Sequence, residues 1–226
     1  MVKEIYGVAS WDKPKGGWYT HFGAYGEDNM FSTWEGKEHL RRKKVINSMY
    51  KKTFLLTKPA MTEFLVRNTT NLVNAIAEEA NKSADGVVDV YLILHRYATD
   101  VIAEFTYGPQ GSTNSLVDTK YRHVAEQFAL SHRRMYQLCQ IHLPYLTEIY
   151  TRIKKTFSND KRIGVFEFGW LAVQNVKAEK VLDSEESLAS LMMSNPEQFS
   201  DAYIASELID HMVSPVLVFF DLMPSR

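Results

Sequence analysis

The sequence predicts a mainly α fold, and three observations carry that reading. Apolar residues recur near the helical period through most of the chain. Pro59, Gly86, Gly108 and Pro109 fall where helices should start or stop. No pair of alternating apolar and polar segments marks a β-hairpin. With 226 residues, 45% apolar and 23% charged, the chain is long enough for one domain with a sizeable core. Twelve Tyr, 12 Phe and 4 Trp argue against disorder.

The elements follow in order. Residues 1–31 read as an aromatic and glycine loop region, with Gly16, Gly17, Gly23 and Gly26 set among Trp11, Trp18, Tyr19, Phe22 and Tyr25. Ser32 followed by Glu35 predicts a capping box opening a helix from Glu35 to Lys51. Leu40, Ile46, Met49 and Tyr50 form its expected inner stripe, and Arg41, Lys44 and Lys51 look outward. "KPAMTEFLVRNTTNLVNAIAEEANKS" is a second helix, started by Pro59, carried by Met61, Leu65, Leu72 and Ile76, and ended by Asn81, Ser83 and Gly86. In "VVDVYLILHRYATDVIAEFTYG" the first four residues suit extended backbone. From Tyr91, the apolar positions Ile93, Tyr97, Val101, Ile102 and Phe105 nearly encircle a helix, which predicts a central place for it. Gly108 and Pro109 stop it.

"PQGSTNSLVD" reads as a polar loop. The stretch from Thr119 to Phe157 reads as two helices broken near Pro144, followed by a loop at "SNDKR". "FEFGWLAVQNVKAEKVL" is a helix with Phe166, Trp170, Leu171 and Val173 on its expected apolar half. A last helix lies in "SNPEQFSDAYIASELIDHM", with Ser194 or Ser200 as its cap, and Pro215 is expected to break or kink it.

Charge and cysteine usage narrow the function classes. Net charge is −1 and the pI is near 6.7, so the chain has no global attraction for nucleic acid. Yet six Lys or Arg fall between Glu38 and Lys52. Read from the residues alone, such a run is a solvated helix face. The one cysteine, Cys139, excludes a disulfide within the chain and fits a reducing compartment. Cys139 and His142, with His123 and His132 upstream, lack the paired four-ligand spacing of structural zinc. His95-Arg96 and Asp210-His211 come without a nucleophile elbow and read as helix-surface or interhelix hydrogen-bonding groups. The N-terminal residues show no signal-peptide core, and "VLVFF" is too short to span a bilayer.

The segment "IYG…GGWYTHFGAYGEDNMFSTWEGKEHLRRKKVINSMY" resembles the region before and through the C helix of fungal cytochromes P450. "VDVYLILHRYATDVIAEFTYG" is similar to that family's E helix, and "IASELIDHM" to the lead-in to its long I helix. The resemblance covers Ile5–Gly108, loosens between Ser112 and Val181, and returns for Ala202–Met212. It implies one partial P450-like domain over 1–226: the loop region, C-D-E-like helices over 32–108, F-G-like helices over 112–181, the start of an I-like helix over 199–213, and an atypical tail over 214–226. It implies haem as cofactor of the complete protein, with His39 and Lys43 at positions that contact a haem propionate; Arg42 or Lys44 are alternatives to Lys43. On a helix His39 and Lys43 are one turn apart and share a face, so both can donate to a carboxylate. The family likeness further implies a small organic substrate, a reductase steered by the outward basic residues, and a place in the cytoplasm or on the endoplasmic reticulum surface, with peripheral membrane contact through the amphipathic F-G-like stretch.

The family's chemistry needs a Cys thiolate on the iron. Cys139 sits in "RRMYQLCQIHLPYL", without the Phe-Gly-rich loop of that ligand, and reads as a packed side chain. The Glu-x-x-Arg pair is missing, and "VSPVLVFFDLMPSR" stands where the family's oxygen-handling Gly and Thr would be. The expectation is therefore a fragment of a haem-thiolate monooxygenase, from an incomplete product or a read-through tail, inactive alone and self-associating through an open core face. Its rival is a non-enzymatic helical interaction protein derived from such an enzyme.

Overall fold

A computed structural model describes residues 22–130, 163–178, 187–194 and 199–221, with isolated positions elsewhere; side chains at 128–130 and 213–221 are outside the description. Among the described residues the regular structure is helical, and one bridge pairs Ala24 with Glu27. The helices are α1 (Gly36–Ile46), α2 (Lys52–Thr57), α3 (Pro59–Lys82), α4 (Tyr91–Tyr107), α5 (Arg122–Leu130), α6 (Val165–Ala178), α7 (Leu188–Met193) and α8 (Asp201–Asp221), with a 3-10 turn at Pro109–Gly111. The mainly α class holds. Pro59 occupies the first turn of α3, where its missing N–H costs nothing.

The expected central helix is α4, which packs against α3, α5, α6, α7 and α8. Its burial is not the apolar girdle that the sequence pattern predicts. His95, Thr99, Asp100, Glu104 and Thr106 are buried beside Ile93, Ala103, Phe105 and Tyr107, while Tyr97, Val101 and Ile102 are only partly covered. Buried polar groups demand partners. Glu104 receives the Arg67 guanidinium and the Asn68 amide, the latter at 3.0 Å, which ties α4 to α3. Asp100 collects the loop that follows. It accepts from the Thr113 hydroxyl, from Ser115 N–H at 2.6 Å, from Ser115 Oγ at 2.8 Å and from Leu116 N–H at 2.9 Å. The polar loop is therefore folded inward, with Ser112, Thr113, Ser115 and Leu116 buried. Burial still raises the Asp100 pKa above the ordinary carboxylate value, against the pull of these donors.

Gly108 ends α4 at φ 80° and ψ −178°, a conformation that side chains resist. Three residues on, a Cβ at Gly111 would lie 2.2 Å from Tyr107 Cβ, so the chain can double back there only as glycine.

Several expected details differ. Ser32 does not cap α1. Its Oγ accepts from Asn29 N–H at 2.9 Å inside a buried turn, and α1 begins after Glu35 with no side-chain cap. The helix expected from Glu35 to Lys51 stops at Ile46, and a separate short α2 follows. Ile46 and Met49 are buried as expected, but Leu40 is 58% exposed. On α6 the buried set is Phe168, Gly169, Ala172, Val173 and Val176, so the face is set by 168, 172 and 176; Phe166, Trp170 and Leu171 are exposed. The short helix α7, absent from the sequence reading, is opened by a capping box in which Ser187 and Ser190 serve each other. Ser200 Oγ accepts from Tyr203 N–H at 3.0 Å and opens α8, while Ser194 closes α7. The break expected at Pro215 does not occur: α8 runs through it to Asp221. A proline removes one intrahelical donor, and a long helix already anchored at its start tolerates that loss. Cys139, His132, His142, Pro144, "SNDKR" and the tail beyond Asp221 lie outside the described residues.

Candidate functional site

Except for Lys51, which precedes α2, the residues singled out on the basic run sit on α1, and two other segments hold that helix in place. The first is the loop over 22–34. Ala24 and Glu27 exchange backbone hydrogen bonds of 3.1 and 3.0 Å across Tyr25 at φ 56° and Gly26 at φ 80°. A left-handed tyrosine is uncommon, and this one is held from outside. Its ring meets Phe166 and Trp170 at 6.2 and 5.7 Å, and its hydroxyl donates to the Phe166 carbonyl. Burial pushes its pKa up to about 12. The second segment is α8, whose buried Ser206 accepts from Ala24 N–H at 3.0 Å and donates to the Glu27 carbonyl at 2.9 Å. One turn of loop is thereby stitched to one turn of helix.

Next on α8, Glu207 is buried and accepts from Met30 N–H at 2.7 Å and from the Tyr203 hydroxyl at 3.3 Å. His211 lies one helical turn further. Its Nε2 is 3.2 Å from Glu207 Oε1, and its Nδ1 is 2.8 Å from the Tyr50 hydroxyl. Tyr50 thus bridges the turn after α1 to α8, and burial raises its pKa well above the phenol value. His211 is an interhelix hydrogen-bonding group, as read from the sequence. His95, on α4, is fully buried rather than on a helix surface, and its ring meets Tyr91 at 4.7 Å.

The basic residues of α1 divide by direction. Arg42 points inward. Its Nε is 2.8 Å from Glu38, its Nη1 donates to the Asp28 carbonyl at 2.6 Å, and its guanidinium lies 4.6 Å from the Tyr203 ring centroid. It therefore joins α1, the loop and α8 in one contact. Glu38 also takes two bonds of 2.7 Å from Arg41; these, with Arg42, hold its carboxyl down to about 2. Lys43, Lys44 and Lys51 are exposed, and His39 is half-buried. His39 and Lys43 are one turn apart on α1, where the His39 N–H bonds the Glu35 carbonyl at 2.9 Å and the Lys43 carbonyl receives Asn47 N–H at 3.0 Å. The sequence reading missed Arg42 as the inward member, although Glu38 and Arg42 have the i,i+4 spacing that pairs opposite charges. The same spacing of Glu207 and His211 was the available sign of the α8 network. Among the described residues no group of three or more His, Cys, Asp or Glu is placed to hold a metal, and no helix is long and apolar enough to cross a membrane.

A loop is stitched onto a long last helix, and the basic helix is held against both through Arg42. The family model for cytochrome P450 matches residues 8–214. The chain belongs to the cytochrome P450 family. Among curated proteins it is similar to the cytochrome P450 monooxygenase FGM1 of Gibberella zeae (strain ATCC MYA-4620 / CBS 123657 / FGSC 9075 / NRRL 31084 / PH-1), with 25% identity over 222 residues. That alignment covers 93% of this chain and 43% of the relative, so this P450 chain spans less than half the length of the relative it matches. P450 membership implies haem as the family's cofactor, with a small-molecule substrate and a redox partner.

Proposed function

We propose that this chain is a part of a haem-thiolate P450 monooxygenase that supplies one wall of the haem and substrate chamber and has no monooxygenase activity by itself. The observation that carries the reading is the family match over residues 8–214 in a chain whose one cysteine, Cys139, has no Phe-Gly-rich sequence around it. When bound, the haem supplies oxygen activation; this chain's own residues supply binding and orientation. His39 and Lys43 form the proposed propionate contact. Their donor chemistry fits a carboxylate, and their spacing puts both on one face. Arg42, the alternative to Lys43, is committed to Glu38, Asp28 and Tyr203, which favours Lys43 for the propionate contact. Lys44 is exposed like Lys43 but is five residues from His39, off the shared face. The iron ligand itself does not fit any described residue, because the described residues contain no cysteine.

The test is a haem titration of the wild-type chain and of a His39→Ala, Lys43→Ala double variant, followed by absorbance. Loss of one charged carboxylate contact predicts an affinity lowered about tenfold. Equal affinities remove both residues from the site. The second reading, a non-enzymatic P450-derived interaction protein, is favoured by the exposure of Arg41, Lys44 and Lys51 on and after α1. It predicts salt-sensitive association with a reductase that is abolished when these three become Glu. The organelle surface and the identity of the substrate belong to the same proposal, by family likeness alone.

A further inference from the structure

A second place in the fold, remote from the basic face of α1, has the makings of a ligand site. A cleft of about 460 Å³ opens between the C-terminal end of α3, the connection into α4, and the first turn of α5. Its volume falls within the range of small-molecule sites, roughly 300–1,000 Å³. Two features separate it from an ordinary surface groove.

The first is a pair of incompletely used guanidiniums. Arg96, on α4, gives Nη2 to Glu126 at 2.9 Å, while its Nε is buried and has no hydrogen-bond partner. A buried donor left unmade is unfavourable, which leaves the Arg96 guanidinium incompletely used beside the cleft. Arg122, on α5, is fixed by two carbonyls, Ser115 at 3.1 Å and Leu116 at 3.4 Å, and among the described residues it makes no ion pair. Its guanidinium is thus held in place without a contact ion pair, although at longer range it acts on the Glu78 carboxylate. Of the other charges of the wall, Lys82 and Glu79 are paired, while Asp89 keeps its negative charge. Lys82 pairs with Glu78 and Glu79, and Asp89 accepts from Tyr91 N–H at 2.9 Å. The second feature is the apolar remainder of the lining, Val87, Val88, Leu92 and Ile93, of which Val87 is 71% and Leu92 39% exposed.

We propose that this cleft binds a small carboxylate with an apolar body, the carboxylate between Arg96 and Arg122 and the body along Val87 and Leu92. A planar carboxylate matches the fork of a guanidinium, and two guanidiniums select it over a neutral group of the same shape. The site is separate from the haem-facing reading of α1 and stands or falls without it.

The test is isothermal titration of the full chain with sodium hexanoate and, as the neutral control of the same body, 1-hexanol. The site predicts saturable hexanoate binding, with hexanol at least about tenfold weaker. Arg122→Gln should weaken hexanoate about tenfold or more by removing one of the two guanidinium charges. Because Arg122 also holds two loop carbonyls, Val87→Glu is the companion variant: it changes an exposed position, leaves the fold intact, and should repel the anion to a similar degree. Equal binding of hexanoate and hexanol overturns the proposal, as does hexanoate affinity unchanged in Val87→Glu. Absence of saturable hexanoate binding up to about 10 mM overturns it as well.

Discussion

Replacing Tyr107 by Phe should make this protein more stable, which few substitutions of a fully buried residue do. Tyr107 closes α4 with 1% of its surface exposed, and its hydroxyl has no hydrogen-bond partner among the described residues. Burial, with a smaller push from the nearby Tyr25 phenol, raises its pKa well above the phenol value. An unsatisfied buried polar group costs about 1–3 kcal/mol. Deleting one oxygen leaves a void of about 10–15 Å³, roughly one water probe. At about 24 cal/mol per Å³ that void costs about 0.3 kcal/mol. The ring is untouched, so its edge-to-face contact with Phe168 at 5.9 Å and its packing under Gly111 persist. The balance is a gain of about 1–2 kcal/mol, or a rise in Tm of about 2–8 °C for a chain of this size. Thermal melting followed by circular dichroism at 222 nm reads it directly. A fall in Tm of about 2 °C or more would mean that the hydroxyl makes a bond in solution, and the reasoning about this corner of the core would be wrong.

Other outcomes follow from the same contacts. Asp100→Ala strands two buried backbone donors, Ser115 N–H and Leu116 N–H, and should cost about 2–6 kcal/mol in urea unfolding, with limited proteolysis cutting first within residues 112–118. Gly111→Ala places a methyl 2.2 Å from Tyr107 Cβ, so it should destabilise by at least about 3 kcal/mol or prevent folding; a variant with wild-type melting contradicts the close approach. Glu38 has a folded pKa lowered to about 2 by Arg41 and Arg42, so its contribution is present above the ordinary value of 4.5 and is lost as pH falls toward 2. The Tm difference between wild type and Glu38→Gln should therefore shrink across that interval and stay constant from pH 6 to 8; a gap that widens in acid refutes the assignment.

The helices were legible where periodicity and punctuation agree. Pro59, Gly108 and the spacing of Met61 and Ile93 mark α3 and α4 closely. Burial was legible less often, because the pattern of apolar residues does not say which face a neighbour will cover. Phe166 and Trp170 look like core residues, yet α6 turns Phe168, Ala172 and Val176 inward and leaves those two as a rim around Tyr25. The polar interior of α4 was hidden for a related reason. Asp100 and Glu104 are buried only because residues 13 to 37 positions away bring donors to them, and no local signal announces such partners. Short α7 carries its own capping box in Ser187 and Ser190, but six residues are too few for a periodic signal. On α1 the spacing of His39 and Lys43 could be read directly, whereas the inward turn of Arg42 depends on Tyr203, 161 residues on.

The claim on which the functional account rests is that these residues contribute to a P450 chamber without providing the thiolate on iron. The direct measurement is to reconstitute the 226-residue chain with haem, reduce it under carbon monoxide and record the Soret region. The account predicts no long-wavelength Soret band of the kind thiolate ligation gives. Appearance of that band in the wild type, and its loss in Cys139→Ser, would contradict the account and make Cys139 the axial ligand.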